Sequence, residues 1–260
     1  MFLNTGRGGG IADTQDSKSC ARKSVRVQVP LSAHMKKRLP DKDFIWTPAL
    51  AYAVGLIVTD GNLSSDGRHI IMRSSEKQLL ETYKHCLQLK SIKIGTSYSS
   101  GHTNKPSYRV QHGDVRLYRW LEKIGITAHK THTIGAIAVP DEMFLDFLRG
   151  HLDGDGSITT YTDRWNTFKN PNYVYERLWL RFLSASEAHM LWLQKRIEKV
   201  VGTKGHLNKR VPRDSRHVPM YSLKFGKKDS MMLLKHLYPN KRVPCLKRKR
   251  KIAEPFLSRI

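Results

Sequence analysis

Ala53-Val54-Gly55-Leu56-Ile57-Val58-Thr59-Asp60-Gly61 and Leu148-Arg149-Gly150-His151-Leu152-Asp153-Gly154-Asp155-Gly156 are two versions of one segment. In each, a glycine stands five residues ahead of an Asp-Gly pair, and the residues before it are apolar with helix-like spacing. Two copies in one chain imply two similar halves, each with one carboxylate. A pair of carboxylates related in that way suits a substrate with two strands.

The repetition extends beyond this segment, and a fixed order of matches is the sequence sign of a duplicated unit. Ser75-Glu76 matches Ser186-Glu187, 111 residues on, and Tyr108-Arg109-Val110-Gln111-His112-Gly113 matches Tyr221-Ser222-Leu223-Lys224-Phe225-Gly226, 113 residues on. The acidic segments are 95 apart. The growing offset places roughly 16 additional residues early in the second half, around 161–176, where Asn, Pro and Thr predict a long loop or hairpin.

Thr47-Pro48 is a helix start, with Thr as N-cap and Pro at the first helical position. Residues 49–59 are almost wholly apolar, which predicts a helix buried all round. Gly61 is expected to close it in a left-handed C′ conformation. Residues 140–155 repeat the design. Ala53, Gly55, Gly150 and Gly154 are small enough to let the two helices pack backbone to backbone as a central seam. Strand signals follow at 69–73, 92–98, 108–112, 177–182 and 221–225. Amphipathic helices are predicted at 76–89, 115–124, 187–201 and 230–237. Each half therefore reads helix–strand–strand–helix–strand–strand–helix, an α+β chain. Residues 1–43 form an N-terminal extension expected to be disordered, residues 44–138 the first half, and residues 139–260 the second half with a basic C-terminal segment. A DNA string encoding Val27-Gln28-Val29-Pro30 resembles the T-arm of a transfer-RNA gene, and on that reading Met35 is the expected start.

The partner is written in the charge. The chain carries 46 Lys and Arg against 22 Asp and Glu, a formal net charge of +24. Such an excess argues for a polyanion, and the basic residues are spread through 68–130, 164–250 and the C-terminus rather than confined to one tail. Double-stranded DNA is the expected ligand, bound in a salt-dependent way. No 18-residue apolar run or basic amphipathic helix points to a membrane. Cys20, Cys86 and Cys245 are too scattered for a metal site or a disulfide framework, which predicts a reduced intracellular protein. His129 and His132 lack cysteine partners and read as solvated or hydrogen-bonded.

Strand alternation separates an apolar face from a polar one. Arg109 and Gln111 share a face in the first half; Arg177, Arg181 and Lys224 share one in the second. Arg and Gln on a sheet face can read guanine and adenine edges in a major groove. Arg68, Arg73, Lys209 and Arg210 complete the candidate set for DNA contact. An ordinary solvated sheet face is the competing interpretation.

Phe147-Leu148-Arg149-Gly150-His151-Leu152-Asp153-Gly154-Asp155-Gly156-Ser157-Ile158 closely resembles the motif of the LAGLIDADG homing endonucleases, single-chain two-motif type. The first copy departs from it at Val58 and Thr59 but keeps the final Asp60-Gly61. The resemblance spans residues 44–257. It implies tandem αββαββα halves about a pseudo-twofold axis, with two antiparallel saddle-like sheets and the motif helices at their interface. It further implies a monomeric site-specific DNA endonuclease, with an intron RNA maturase or a non-catalytic DNA-binding regulator as alternatives on the same scaffold. An intein is disfavoured by the lack of a nucleophile at residue 1 and of a terminal His-Asn. Asp60 and Asp155 are the implied metal-binding carboxylates, with Gly61 and Gly156 beside them and Mg²⁺ or Mn²⁺ as the cation. The physics agrees, since each acid ends a helix at its negative pole, and a divalent cation relieves the repulsion at a tight seam. Hard oxygen donors suit Mg²⁺. Asp153 falls off the Asp155 face, and its counterpart is Val58. A basic helper is implied in each half: Lys130 in the first and Lys247 in the second, with Arg248 or Lys249 as substitutes for Lys247. The run Lys247–Lys251 also fits a phosphate-binding or solvated tail.

Overall fold

Thr47 starts the first helix as its composition predicts. Its Oγ1 accepts from the Leu50 amide at 3.1 Å, and Pro48 occupies the first helical position. Helix α1 (Pro48–Asp60) is buried from Leu50 to Val58. It is followed by β1 (Gly61–Leu63), β2 (His69–Ser74), α2 (Lys77–Cys86), β3 (Gly95–Tyr98), β4 (Pro106–Gly113) and α3 (Val115–Lys123). The second half repeats the order with α4 (Phe144–Asp153), β5 (Ser157–Asp163), β6 (Tyr175–Ser184), α5 (Glu187–Val201), β7 (His206–Arg210), β8 (Met220–Phe225) and α6 (Lys227–Leu237), then adds α7 (Lys247–Leu257). This computed structural model describes residues 44–98, 106–212 and 218–258. The N-terminal extension of residues 1–43 lies outside the described residues, as do Met35 and Cys20.

The protein is α+β, with two four-stranded antiparallel sheets of identical topology. Their orders are β1-β2-β4-β3 and β5-β6-β8-β7. One face of each sheet is apolar and covered by helices. Ile70, Met72 and Val110 meet Leu79, Leu80 and Tyr83 in the first core, and Leu178, Leu180, Phe182, Leu223 and Phe225 meet Leu193, Ile197 and Leu233 in the second. Period-two alternation sends the remaining side chains to the opposite face. The additional residues of the second half lengthen the β5–β6 hairpin, which carries a 3₁₀ turn at Trp165–Phe168.

The seam between α1 and α4 has no side chain at its tightest point. A Cβ on Gly55 would stand 2.2 Å from the Phe147 carbonyl oxygen, and one on Gly150 would stand 2.1 Å from the Tyr52 carbonyl oxygen. Phe147 precedes Gly150 by three residues, and Tyr52 precedes Gly55 by three. Such reciprocity is what a twofold relation produces. A Cβ on Gly154 would fall 1.9 Å from Thr59 Oγ1.

Three expectations are corrected here. Gly61 has φ −84° and ψ 155°, not a left-handed conformation. It is needed for space, since a Cβ there would lie 2.6 Å from the Ile57 backbone. Ala53 is fully buried, but at about 100° per residue it lies roughly 200° around the helix from Gly55, off the line of closest approach. Helix α4 runs from Phe144 to Asp153 rather than from Pro140 to Asp155: a 3₁₀ turn at Asp141–Met143 precedes it, and Gly154 caps it, so Asp155 stands just beyond the helix end.

Candidate active site and nucleic-acid interface

Helix α1 and the turn that follows α4 deliver Asp60 and Asp155 to one end of the seam. Asp60 ends α1, and its Oδ2 lies 3.0 Å from where a Cβ on Gly154 would stand. Asp155 follows Gly154, so the two carboxyls share a neighbourhood. Burial, and after it the negative charge of Asp155, pushes the Asp60 carboxyl up to about 7, against the pull of Lys249 and Lys130. Asp155 is also raised by burial, again opposed by Lys249 and Lys130. Two buried acids held this close favour a bound cation, which would stabilise both in their ionised form.

Each carboxylate has a buried lysine in an equivalent setting. Lys130 Nζ donates to the carbonyl of Gly61, the residue after Asp60. Lys249 Nζ donates to the carbonyl of Gly156, the residue after Asp155, at 2.7 Å. Burial lowers the pKa of both lysines to about 8. Lys249 also reaches the carbonyls of Leu152, Asp153 and Gly154 at 2.6, 2.8 and 2.9 Å. These are the oxygens that the end of α4 leaves without helical partners, and a cation is favoured there.

Lys247, expected in this role, is exposed at the start of α7, and its amide donates to Gln78 Oε1. Lys249 holds the position instead. The signal was present in the sequence: Lys249, Ala253 and Phe256 recur at helical spacing and form the buried face of α7. Asp153 stays away from the carboxylate pair. It is buried and accepts from Tyr52 Oη at 2.8 Å, the Leu246 amide at 2.7 Å and Tyr238 Oη at 3.4 Å.

Among the described residues no three His, Cys, Asp or Glu side chains converge as metal ligands. A divalent ion here would therefore rely on Asp60, Asp155, backbone carbonyl oxygen, water and substrate phosphate. That donor set is all hard oxygen and fits Mg²⁺ or Mn²⁺.

Asp60 makes stability depend on pH in a direction opposite to that of a paired acid. Its folded pKa of about 7 lies above its ordinary value of 3.8. Between those values the folded chain keeps a proton that the unfolded chain has released, so stability falls as pH rises through the window. In chelator, the melting temperature difference between Asp60→Asn and the parent should move in favour of the variant by a few degrees from pH 4 to pH 8. That corresponds to ~1–2 kcal/mol once partial exposure is allowed for. Calorimetry at the two pH values checks it. A constant difference would remove the coupling between the two carboxylates.

Cross-strand register collects the basic side chains on the face opposite the helices. Arg73 pairs with Arg109 and Ile71 with Gln111 in the first sheet. Arg181 pairs with Ser157 and with Lys224 in the second, and Arg177 pairs with Tyr161. Lys224 Nζ stands 3.5 Å over the Trp179 ring, and Arg177 is tied to Asp163 at 2.8 Å. Arg181 Nε is buried and makes no hydrogen bond among the described residues. Arg68 lies exposed in the β1–β2 turn. Arg210 pairs with Met220 on the same polar face, but Lys209 does not join them. Lys209 is in register with buried Tyr221 and lies over its ring, 5.5 Å from the centroid. Leu207, two residues earlier, marks that face as the apolar one. No helix among the described residues is long and apolar enough to cross a membrane.

No family model and no curated protein matches the sequence. Solved structures do match. The homing endonuclease I-WcaI bound to its DNA recognition sequence aligns with a TM-score of 0.53 at 11% identity, over 80% of this chain and 88% of that one. The LAGLIDADG meganuclease I-AabMI bound to uncleaved DNA aligns at 0.52 and 13%, over 82% and 90%. Full-length DUF199/WhiA from Thermatoga maritima gives 0.48 and 14%, and there the match covers 83% of this chain but only 63% of the other. The chain has the two-motif fold of the LAGLIDADG homing endonucleases.

Proposed function

We propose that the protein is a site-specific double-strand DNA endonuclease that acts as a monomer inside the cell, each half hydrolysing one phosphodiester of a long asymmetric target. One observation carries this reading. Asp60 at the end of α1 and Asp155 just past the end of α4 meet at the seam, each with a buried lysine on the carbonyl of its following glycine, between two sheets with basic outer faces. Asp60 and Asp155 would hold Mg²⁺ or Mn²⁺. The carbonyls of Gly61 and Gly156, each with a second lone pair beyond its lysine bond, lie within the same donor set. When bound, the cation supplies an acidified water and neutralises charge on the leaving oxygen. Lys130 and Lys249 orient the two Asp-Gly turns and place positive charge where the scissile phosphates gain negative charge. One similar structure, that of I-WcaI, is bound to its DNA recognition sequence, which supports DNA as the ligand here.

The test is incubation of the protein with a library of randomised duplexes, with Mg²⁺, with Mn²⁺ and with chelator. Metal-dependent recovery of one family of cut sequences is the expected result. Duplex binding without cutting in either metal would make the protein a DNA-binding regulator, and preference for folded RNA would make it a maturase. Readout is tested on the selected site. Arg109→Ala and Arg181→Ala should each cost ~1–3 kcal/mol and relax preference at one base position. Lys209→Ala, on the other face, should alter neither. Single-base variants of the target measure this.

A further inference from the structure

The two buried lysines are each seated by a segment that the opposite half grips. Lys249 rides on α7 behind a strap, residues 239–246, that crosses to the first half. There Gln78 of α2 takes both sides of the strap: its Nε2 donates to the Cys245 carbonyl at 3.0 Å and its Oε1 accepts from the Lys247 amide at 2.9 Å. Glu76 binds Arg248 at 2.7 Å. From the second half, Asp153 accepts from the Leu246 amide and Arg149 Nε donates to the Pro244 carbonyl at 2.8 Å.

Lys130 belongs to the first half, and the segment after it crosses to the second. The Lys130 carbonyl accepts from the Thr133 and Ile134 amides. Ser186 Oγ then donates to the Ile134 carbonyl, and His189 Nδ1 bonds the Gly135 carbonyl at 2.8 Å. Burial lowers the His189 pKa to about 4, so the ring is neutral and Nδ1 carries the donated proton. His189 sits 111 residues after Gln78, the offset that relates Ser75-Glu76 to Ser186-Glu187. The two grips are the same position of the duplicated fold.

We propose that Gln78 and His189 form a reciprocal cross-brace, in which each half positions the active-site lysine of the other. Neither residue touches substrate; both are positioning residues. The inference deepens the endonuclease reading and rests on it for its catalytic meaning. The geometry of the brace can be tested without cleavage.

The experiment is amine labelling of the full chain with an N-hydroxysuccinimide ester, read by mass spectrometry residue by residue. In the parent, Lys130 and Lys249 should react about tenfold more slowly than exposed Lys247, because labelling must wait for local opening. Gln78→Ala should raise the Lys249 rate by about tenfold and leave Lys130 protected. His189→Leu should do the reverse, and His189→Asn, which keeps a donor in place of Nδ1, should restore protection of Lys130. If either variant releases both lysines together, the effect is general loosening and the brace is overturned. It is equally overturned if Lys249 stays protected in Gln78→Ala. A second arm follows supercoiled plasmid carrying the selected site. Gln78→Ala and His189→Leu should accumulate nicked circles with the nick on opposite strands. A parent that cuts no DNA would sink the endonuclease reading, while the labelling rates would still decide the brace.

Discussion

Asp60→Asn and Asp155→Asn each abolish double-strand cleavage while leaving duplex affinity within a few-fold of the parent. That is the first expected result, and it separates the site from the surface. On the proposed reading, affinity comes from basic side chains on the two sheet faces, apart from the carboxylate pair. Cleavage, on the same reading, needs a cation held by both acids. Removing one charge lowers the affinity for that cation and removes one side of its coordination. A rate loss of about 10³-fold or more, ~4 kcal/mol in barrier, is the size expected. The measurement is single-turnover cleavage of the selected target in Mg²⁺, paired with equilibrium binding in Ca²⁺. Parent-like cutting of both strands by either variant would reject the assignment of these two acids. The loss should appear in both variants because, on the proposed reading, each acid supplies a donor to the same cation site.

Gly55→Ala and Gly150→Ala should destabilise the fold more than other single-methyl additions in this chain. The added Cβ would stand 2.2 Å from one carbonyl oxygen in the first case and 2.1 Å from another in the second. Both obstacles are backbone, which cannot rotate away, so the helices must separate along the whole seam. Overpacking against side chains costs ~1–3 kcal/mol, and here about 3 kcal/mol or more is expected. For a chain of this size that lowers the melting temperature by roughly 6–12 °C. Gly135→Ala is the control, with nothing within 4 Å of its added Cβ. Thermal unfolding of the three variants decides it. A seam variant that melts with the control would show that α1 and α4 are not held backbone to backbone.

Much of this molecule was legible in its residues because duplication makes weak signals corroborate one another. The paired Asp-Gly ends, the Thr47-Pro48 start and the alternation around Arg109 and Lys224 fixed two halves, their helices and the polar faces. Short strands were harder. β1 has three residues, too few for alternation to show, and its existence follows only from its pairing with β2. Gly61 was read as a conformational requirement and proved to be a steric one, since only the approach of the Ile57 backbone reveals that. The lysine of the second half was displaced by two residues because Lys247–Lys251 is a uniform charge run. Burial there is decided by Ala253 and Phe256 further along. Gln78 carries no sequence signal of its grip, because its partners are backbone atoms 167 and 169 residues away.

The lengthened hairpin of the second half gives the molecule a head and a tail. β5 runs for seven residues where β1 runs for three, and β6 for ten where β2 runs for six. Four additional residues at about 3.3 Å each extend one arm by roughly 13 Å. Trp165 and Phe168 stand at its tip, 82% and 72% exposed, with Lys169 beside the Phe168 ring. The shorter arm carries nothing comparable among the described residues. A ligand laid across both sheets is therefore touched further out on one side than on the other. Turning the protein end for end on that ligand would put the long arm over a different stretch. Orientation is thus set by reach, before any individual base is read.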